Sequence, residues 1–455
     1  MRTPAQGRVS AVTIVCVALI FICGVAAVAL QGAYPTADNA LFEYFGRAIS
    51  RGSVLYRDVW DDKLPGVYYV NAMWQRLFGA RYTLHAAAET LVALTSAGLL
   101  VLIMRDFGLG FRAAAAAVLT AFLCLAFPLN STEAYALPAL LAATLAARRS
   151  AILTGALLGT ATLFWIPSLL MIFPLLMLVR GPRPARAGVI SMFAIAIPLA
   201  VVMLIAGPAH FTSLIRTWFS YASAPSETRV HHHLLLLNRF AAVSQAVENF
   251  WAGAIASGVA AFGAFLLAVL QKPASTAQRF GMLWVCAMLV GTFIGTRFYS
   301  HYFIACFAAI VFAICAYITR ARLNRPRATL VAAGILMLTA TIAVRVSDDS
   351  RTRGSVAERL ARNAGPIVAR RLTLRVDAYR PELYLALDPV LRDPREIVEA
   401  SQFPLLESAS HLPPADILIE VTPGRRSANR VCARTAAPLN MQAQGHWRRI
   451  FAACP

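Results

Sequence analysis

The sequence predicts an all-α polytopic membrane protein with about 11 transmembrane helices, followed by a small extracytoplasmic C-terminal α/β domain. Three observations predict this fold class. Hydrophobic residues make up 58% of the 455 residues and charged residues only 14%, whereas a soluble domain has about 25% charged residues. Long apolar runs recur through residues 1–345. A more polar segment, 346–455, then follows with 16 arginines and 12 acids.

The apolar runs approach or reach the length of about 20 residues that a helix needs to cross a bilayer. The candidate windows are 11–30, 84–104, 113–128, 134–147, 150–164, 166–179, 187–207, 251–270, 280–296, 300–319 and 328–344. The two short runs beside Trp165 are also compatible with a hairpin of short helices that ends inside the protein. The first window is longer than a usual signal-sequence core, so we expect an uncleaved span there.

The charges of the connecting segments predict the orientation. Alternate connections hold 15 of the 42 Lys and Arg residues but only Asp106 of the 22 acids. An excess of basic residues in short loops marks the cytoplasmic side of a membrane. We therefore expect a cytoplasmic N-terminus, with the loop 31–83 and the tail 346–455 outside. The net charge of +20 would raise the question of a nucleic-acid partner in a soluble chain, but the placement of the basic residues beside apolar runs argues against one.

The tail 346–455 is expected to form a domain separate from the transmembrane module 1–345. Segments 373–379 and 415–421 are typical of strands, and 381–388 is typical of a helix. Cys432 and Cys454 are candidates for a disulfide if the tail is extracytoplasmic. The tail has no recognisable catalytic motif.

The first outer loop, 31–83, mixes charged residues with aromatic residues. Its charged residues include Asp38, Glu43, Asp58, Asp61, Asp62 and Lys63. Carboxylates that accept hydroxyl hydrogens, beside rings that stack, suit a carbohydrate or a polar headgroup at the membrane surface. Interfacial amphipathic helices with an aromatic belt would have the same composition, so both alternatives stand on composition alone.

Three segments resemble the GT-C superfamily of glycosyltransferases, in particular the bacterial group related to glycosyltransferase family 39, the protein mannosyltransferase and aminoarabinose transferase families. RGSVLYRDVWDDKLPGVYYV (51–70) resembles the end of the family's first loop. PLNSTEAYALPALLAA (128–143) resembles an outer turn with a glutamate before the next span. GTRFYSHYFIACFAAI (295–310) resembles a late span that opens with His-Tyr-Phe. The motifs follow the family's order on one predicted side of the membrane.

The resemblance implies an inverting sugar transfer from a polyprenyl-phosphate donor at the outer face of the bacterial cytoplasmic membrane. The acceptor would be a glycan, a lipid or a protein of the cell envelope. Such a reaction needs a carboxylate to deprotonate the attacking hydroxyl and cations to stabilise the departing phosphate. Asp38 matches the family's loop-start aspartate and is the expected general base, with a helix N-cap as its alternative role.

The resemblance also implies the remaining site residues. We expect the donor phosphate near Lys63, Arg297, His301 and Tyr302. Sugar or acceptor contacts are expected from Asp58, Asp61, Asp62 and Glu133. Leu64 interrupts the Lys-Pro-Pro element of many relatives, and a snorkelling lysine is the alternative for Lys63. The spacing also allows Asp61 to pair with Lys63. For Glu133 the alternative is a structural one, because it lies at the outer end of a span, where a charge is tolerated without function.

No cofactor and no metal ion are expected. The run His231, His232 and His233 cannot direct three side chains at one ion from a regular helix or strand, and no acidic or cysteine partner recurs at ligand spacing. A polar loop is the simpler interpretation of this run.

The main alternative is a secondary transporter or flippase, in which charges lie near the bilayer midplane. Glu89 is the exception among the notable acids because it lies inside an apolar window, and it would need a partner such as His85. The other acids lie outside the windows, which favours chemistry at the membrane surface. A membrane scaffold is a third interpretation, and it would leave Asp38 and Lys63 free to vary.

Overall fold

The computed structural model of the protein describes residues 37–59, 63–109, 130–179, 183–207, 275–294 and 300–318. It also describes four strand segments in the tail and seven isolated residues: Pro35, Asp61, Ala116, Thr120, Ala121, Cys124 and Thr212. The described residues fall into two compact units. Unit 1 lies within residues 87–197 and 234–344, and unit 2 lies within residues 30–86, 198–233 and 345–455.

The first outer loop forms two helices of unit 2, α1 (Ala37–Ser50) and α2 (Gly66–Phe78), before α3 begins (Tyr82–Asp106). Helices α1 and α2 cross very closely at Gly46. A Cβ atom at that position would lie 2.6 Å from the backbone and Cβ of Asn71, so only glycine allows this approach. Buried aromatic residues, including Phe42 and Tyr68, fill the interface.

Unit 1 is built mainly from helical hairpins. The first pairs α4 (Thr132–Ala146) with α5 (Ala151–Phe164), and the side chains of Ser131 and Ser150 cap the two N-termini. A 3₁₀ helix (Ile166–Met171), a short α6 (Ile172–Leu176) and α7 (Arg183–Ala206) follow. The second hairpin pairs α8 (Thr276–Ile294) with α9 (Ile304–Ile318) through a second 3₁₀ helix (Ser300–Phe303).

Helices occupy the predicted windows 84–104, 134–147, 150–164, 187–207 and 280–296, as expected. Two of the described helices, Tyr82–Asp106 and Ala185–Ala206, are long and apolar enough to cross a membrane. The windows 11–30, 251–270 and 328–344 lie outside the described residues, as does most of 113–128. The count of eleven spans therefore stays a prediction.

The window 166–179 does not form one continuous α-helix, so its interpretation as a single span is wrong. Trp165 is extended, and a 3₁₀ helix and the five-residue α6 follow it. Pro167 explains the break, because proline lacks a backbone donor and clashes with the preceding turn. The short-hairpin alternative describes this region better. The window 300–319 likewise opens with a 3₁₀ turn before α9.

Contacts within unit 1 define two ends of its helices. At the first end, Arg148 forms an ion pair with Asp106 at 3.1 Å, and Phe107 stacks on Phe280 with ring centres 5.2 Å apart. At the second end, Tyr135 packs on Phe164 with ring centres 5.7 Å apart. The basic residues Arg105, Arg148, Arg149 and Arg279 belong to the elements that meet at the first end.

Four strands of the tail form one mixed sheet in the order β2-β1-β3-β4. They are β1 (Leu374–Val376), β2 (Ile397–Val398), β3 (Ile417–Thr422) and β4 (Arg430–Thr435). β1 runs parallel to β2 and β3, and β4 runs antiparallel to β3. Two strands fall in the segments predicted for them, but the predicted helix 381–388 and Cys454 lie outside the described residues. The α/β domain and its boundary at 345 stay predictions.

Candidate functional site

Asp38 is the second residue of α1 and is partly exposed. It therefore lies within the first helical turn rather than at the N-cap position. A carboxylate in a first turn is stabilised by the positive end of the helix dipole, which favours its ionised form. An ionised, accessible carboxylate is what a general base requires.

A set of buried polar contacts, which we call the α1 clamp, fixes the helix that carries Asp38. Glu43 of α1 is buried; it accepts a hydrogen bond from Nε2 of Gln75 at 2.6 Å, and its Oε1 lies 2.5 Å from Nδ1 of His85. The other ring nitrogen of His85 donates to the carbonyl oxygen of Gly79 at 2.9 Å. One turn further along α1, Arg47 donates to the hydroxyl of Tyr82. These contacts tie α1 to α2 and to the start of α3.

The α1 clamp corrects one expectation of the sequence. His85 is the kind of partner that Glu89 was expected to need, but its two ring nitrogens contact Glu43 and the Gly79 carbonyl instead. Gly79 ends α2 with a φ of 61°, a conformation that glycine adopts without strain, and this turn directs its carbonyl at His85. Glu43 and Gln75 had no functional role in the sequence interpretation.

A second cluster, the Lys63 site, consists of Phe42, Asp61, Lys63 and Tyr68. Oδ2 of Asp61 accepts a hydrogen bond from the Tyr68 hydroxyl at 2.6 Å and lies 3.9 Å from Nζ of Lys63. The ammonium also lies 5.3 Å from the centre of the Phe42 ring, within the range of a cation–π interaction. The pairing of Asp61 with Lys63 that the spacing allowed is therefore present.

The backbone before Lys63 is held by a compact turn. Tyr56 adopts a φ of 67°, and its hydroxyl donates to the carbonyl oxygen of Lys63 at 2.6 Å. Oδ2 of Asp58 accepts the backbone N–H of Val54 at 2.8 Å. Asp58 also accepts hydrogen bonds from the Arg57 guanidinium, and these bonds raise the pKa of Arg57. Asp58 is thus engaged in the turn itself.

The second end of unit 1 contains Glu133, His301 and Tyr302, on two elements that contact each other. Glu133 lies in the first turn of α4 and is fully buried, and its two carboxylate oxygens have no hydrogen-bond partner within the described part of the chain. α4 packs against the 3₁₀ helix that carries His301 and Tyr302. The Thr292 hydroxyl donates to the Met288 carbonyl of its own helix at 2.9 Å and lies 3.4 Å from the Tyr302 carbonyl.

The burial of Glu133 weakens the alternative in which the residue lies at the outer end of a span, where a charge is tolerated without function. Its role as a sugar or acceptor ligand stays a prediction. The residue is 0% exposed, and burial of a charged carboxylate without a partner is strongly unfavourable. The hydroxyl of Ser168, in the first 3₁₀ helix of the same unit, is also buried without a described partner.

The described site residues are divided between the two units. Asp38, Asp58, Asp61 and Lys63 lie in unit 2, and Glu133, His301 and Tyr302 lie in unit 1. Asp62, Arg297 and the run 231–233 lie outside the described residues. Within the described ranges, no group of three or more His, Cys, Asp or Glu side chains is arranged to hold a metal ion.

No protein-family model and no curated protein sequence matches the chain. Among solved structures, it is similar to crystal structures of ArnT from Cupriavidus metallidurans in the apo state and bound to undecaprenyl phosphate. The identities are 14% and 15%, and in both cases the TM-score is 0.51 and the match covers 90% of this chain and 92% of that chain.

A further similar structure is the archaeal oligosaccharyltransferase AglB from Archaeoglobus fulgidus, in complex with an inhibitory peptide and a dolichol-phosphate. It is 13% identical with a TM-score of 0.47, and the match covers 89% of this chain and 69% of that chain. ArnT and AglB are GT-C superfamily membrane glycosyltransferases. The similarity to ArnT confirms the resemblance at the level of the fold. This chain therefore has a GT-C-like fold.

Proposed function

We propose that the protein transfers a sugar from a polyprenyl-phosphate-linked donor to a cell-envelope acceptor, at the outer face of the bacterial cytoplasmic membrane. The observation that carries this proposal is the Lys63 site, a partly exposed ammonium in the first outer loop of a fold shared with ArnT. The ArnT structure binds undecaprenyl phosphate, the kind of anion that such a cation would attract. The identity of the sugar and of the acceptor is left open.

Asp38 acts as the general base in this proposal. Its carboxylate takes the proton of the acceptor hydroxyl, and the resulting oxygen nucleophile attacks the anomeric carbon of the donor sugar. The bond between that carbon and the phosphate oxygen breaks, and its electron pair leaves with polyprenyl phosphate. A single displacement of this kind inverts the anomeric centre.

Lys63 stabilises the charge that develops on the departing phosphate. Arg297, His301 and Tyr302 are proposed as further phosphate contacts. The hydrogen bonds of Asp58 and Asp61 within the loop favour structural roles for these two acids over direct contacts with substrate. Glu133 is the better supported sugar or acceptor ligand, because its buried carboxylate has no hydrogen-bond partner among the described residues.

The charge distribution of unit 1 supports chemistry at the outer face. The basic residues at its first end match the expected cytoplasmic loops. Glu133, His301 and Tyr302 belong to elements that meet at the opposite end, which places them on the extracytoplasmic side in this proposal.

The test is sugar transfer by the purified full-length protein in nanodiscs, from a panel of radiolabelled polyprenyl-phosphate sugars to a membrane extract. We expect donor-dependent transfer by the wild type and a loss of about 100-fold or more for Asp38→Asn, the scale of general-base catalysis. Asp106→Asn, which removes the same charge from an exposed ion pair in unit 1, is the matched control and should retain activity. Full transfer by Asp38→Asn would contradict the role of Asp38, and flux of intact donor without transfer would favour the flippase.

A further inference from the structure

Asp61 is the part of the Lys63 site that the proposed chemistry leaves without a function. Its side chain is 6% exposed, whereas the side chain of Lys63 is 24% exposed. A ligand that arrives from outside therefore reaches the ammonium more readily than the carboxylate. Asp61 acts on a substrate mainly through Lys63.

One oxygen of Asp61 interacts with two groups at different strengths. Oδ2 lies 2.6 Å from the Tyr68 hydroxyl, a short hydrogen bond to a charged acceptor, and 3.9 Å from Nζ of Lys63. The second distance exceeds that of a direct hydrogen bond between charged groups. Tyr68 thus holds the carboxylate close to itself and keeps its pairing with Lys63 loose.

Phe42 supports this arrangement on the other side of the ammonium. Its ring packs edge-on against Tyr68, with centres 5.8 Å apart and planes at 75°, and its centre lies 5.3 Å from Nζ of Lys63. An aromatic ring attracts a cation without carrying a charge of its own. Neither Phe42 nor Asp61 is therefore in direct hydrogen-bond contact with the ammonium.

We infer that Asp61 and Tyr68 together set the strength with which Lys63 binds a lipid phosphate. Asp61 competes with the phosphate for the ammonium, and Tyr68 restrains Asp61 so that the competition stays partial. The inference rests on the proposed function, because it takes Lys63 to be a phosphate ligand. The phosphate monoester that transfer releases carries more negative charge than the diester of the donor, so a lysine without this competitor would retain the product.

The test is binding of undecaprenyl phosphate to the full-length protein in detergent, with neutral undecaprenol as the reference. The ratio of the two dissociation constants isolates the contribution of the phosphate. We expect Asp61→Asn to increase the preference for phosphate about tenfold, because it removes a charge near the ammonium. Tyr68→Phe should decrease the preference about threefold, because the freed carboxylate can then approach Lys63.

Two matched variants control for the chemical changes themselves. Asp106→Asn removes one carboxylate charge from an exposed ion pair of unit 1, and Tyr317→Phe removes a buried hydroxyl that has no hydrogen-bond partner within the described residues. Both should leave the ratio unchanged. Thermal unfolding of each variant shows whether it is folded. If Tyr68→Phe is not folded, the change in the phosphate preference caused by Asp61→Asn tests the inference by itself.

The outcomes separate the inference from the proposed function. If Lys63→Gln leaves the preference for phosphate intact, the phosphate-binding role of Lys63 is wrong. If Lys63→Gln abolishes the preference while Asp61→Asn lowers it or leaves it unchanged, only the inference is overturned, because Asp61 then positions Lys63 or has no effect on it. A gain with Asp61→Asn and a loss with Tyr68→Phe together support the inference.

Discussion

At the residue scale, the sequence indicated which side chains carry charge but not which ones meet. Glu43 and His85 are 42 positions apart, and their side-chain contact depends on how the fold places α1 beside the first residues of α3. No local pattern marks such a pair. The contact between Asp61 and Lys63 was predictable because the two residues are neighbours in one loop, whereas the restraint from Tyr68 depends on the packing of α2.

The buried pair of the α1 clamp gives a stability prediction. Glu43→Leu and His85→Leu should each lower the free energy of unfolding by about 3 kcal/mol, because each leaves a buried polar partner unsatisfied. The double variant should cost at least about 1 kcal/mol less than the sum, since it removes both members of the pair. Reversible unfolding in detergent measures the cycle, and strictly additive losses would show that the two side chains do not interact.

At the element scale, the length of the apolar runs predicted where helices form, and local features such as proline determined where they end. Five windows became helices because their composition alone favours burial of the backbone in a helix. The break after Trp165 follows from Pro167, so the sequence contained the signal for it, and the short-hairpin alternative rested on that signal. The close crossing of α1 and α2 was not predictable, because a glycine inside a helix does not by itself indicate that another helix packs against it.

Gly46 gives a prediction for that crossing. Gly46→Ala should lower the free energy of unfolding by about 1–3 kcal/mol and reduce activity, because the new Cβ would lie 2.6 Å from Asn71 and force α1 away from α2. Gly98→Ala is the matched control: it lies in α3, the added methyl would meet no other described element within 4 Å, and alanine favours a helix. Thermal unfolding compares the two, and equal stability would contradict the close approach.

At the scale of the whole molecule, composition predicted a membrane protein, and the fold shared with ArnT agrees with it. The three family-like segments were separated in sequence, and the structure places two of them in unit 1 and the other in unit 2. Orientation came from charge bias alone. The tail could be predicted only as short strands, because its composition carries no motif that specifies a function.

The orientation gives a labelling prediction. In a background without native cysteines, Arg51→Cys in the first outer loop should react with a membrane-impermeant thiol reagent added to intact cells. Arg149→Cys, at the first end of unit 1, should react only after permeabilisation. Both positions are exposed, so accessibility to water does not distinguish them. The reverse pattern would show that the basic end faces outward and would contradict the proposed topology.

The central claim is that the donor lipid is consumed rather than moved. Mass spectrometry of the lipids after incubation of the purified protein with a polyprenyl-phosphate sugar and membrane acceptor tests this most directly. The account predicts acceptor-dependent release of free polyprenyl phosphate, with one molecule released for each sugar transferred, and retention of the donor when Asp38→Asn replaces the wild type. Glycosyl transfer would be contradicted if, for every sugar tested, the donor were recovered intact in the same amount as in samples without protein.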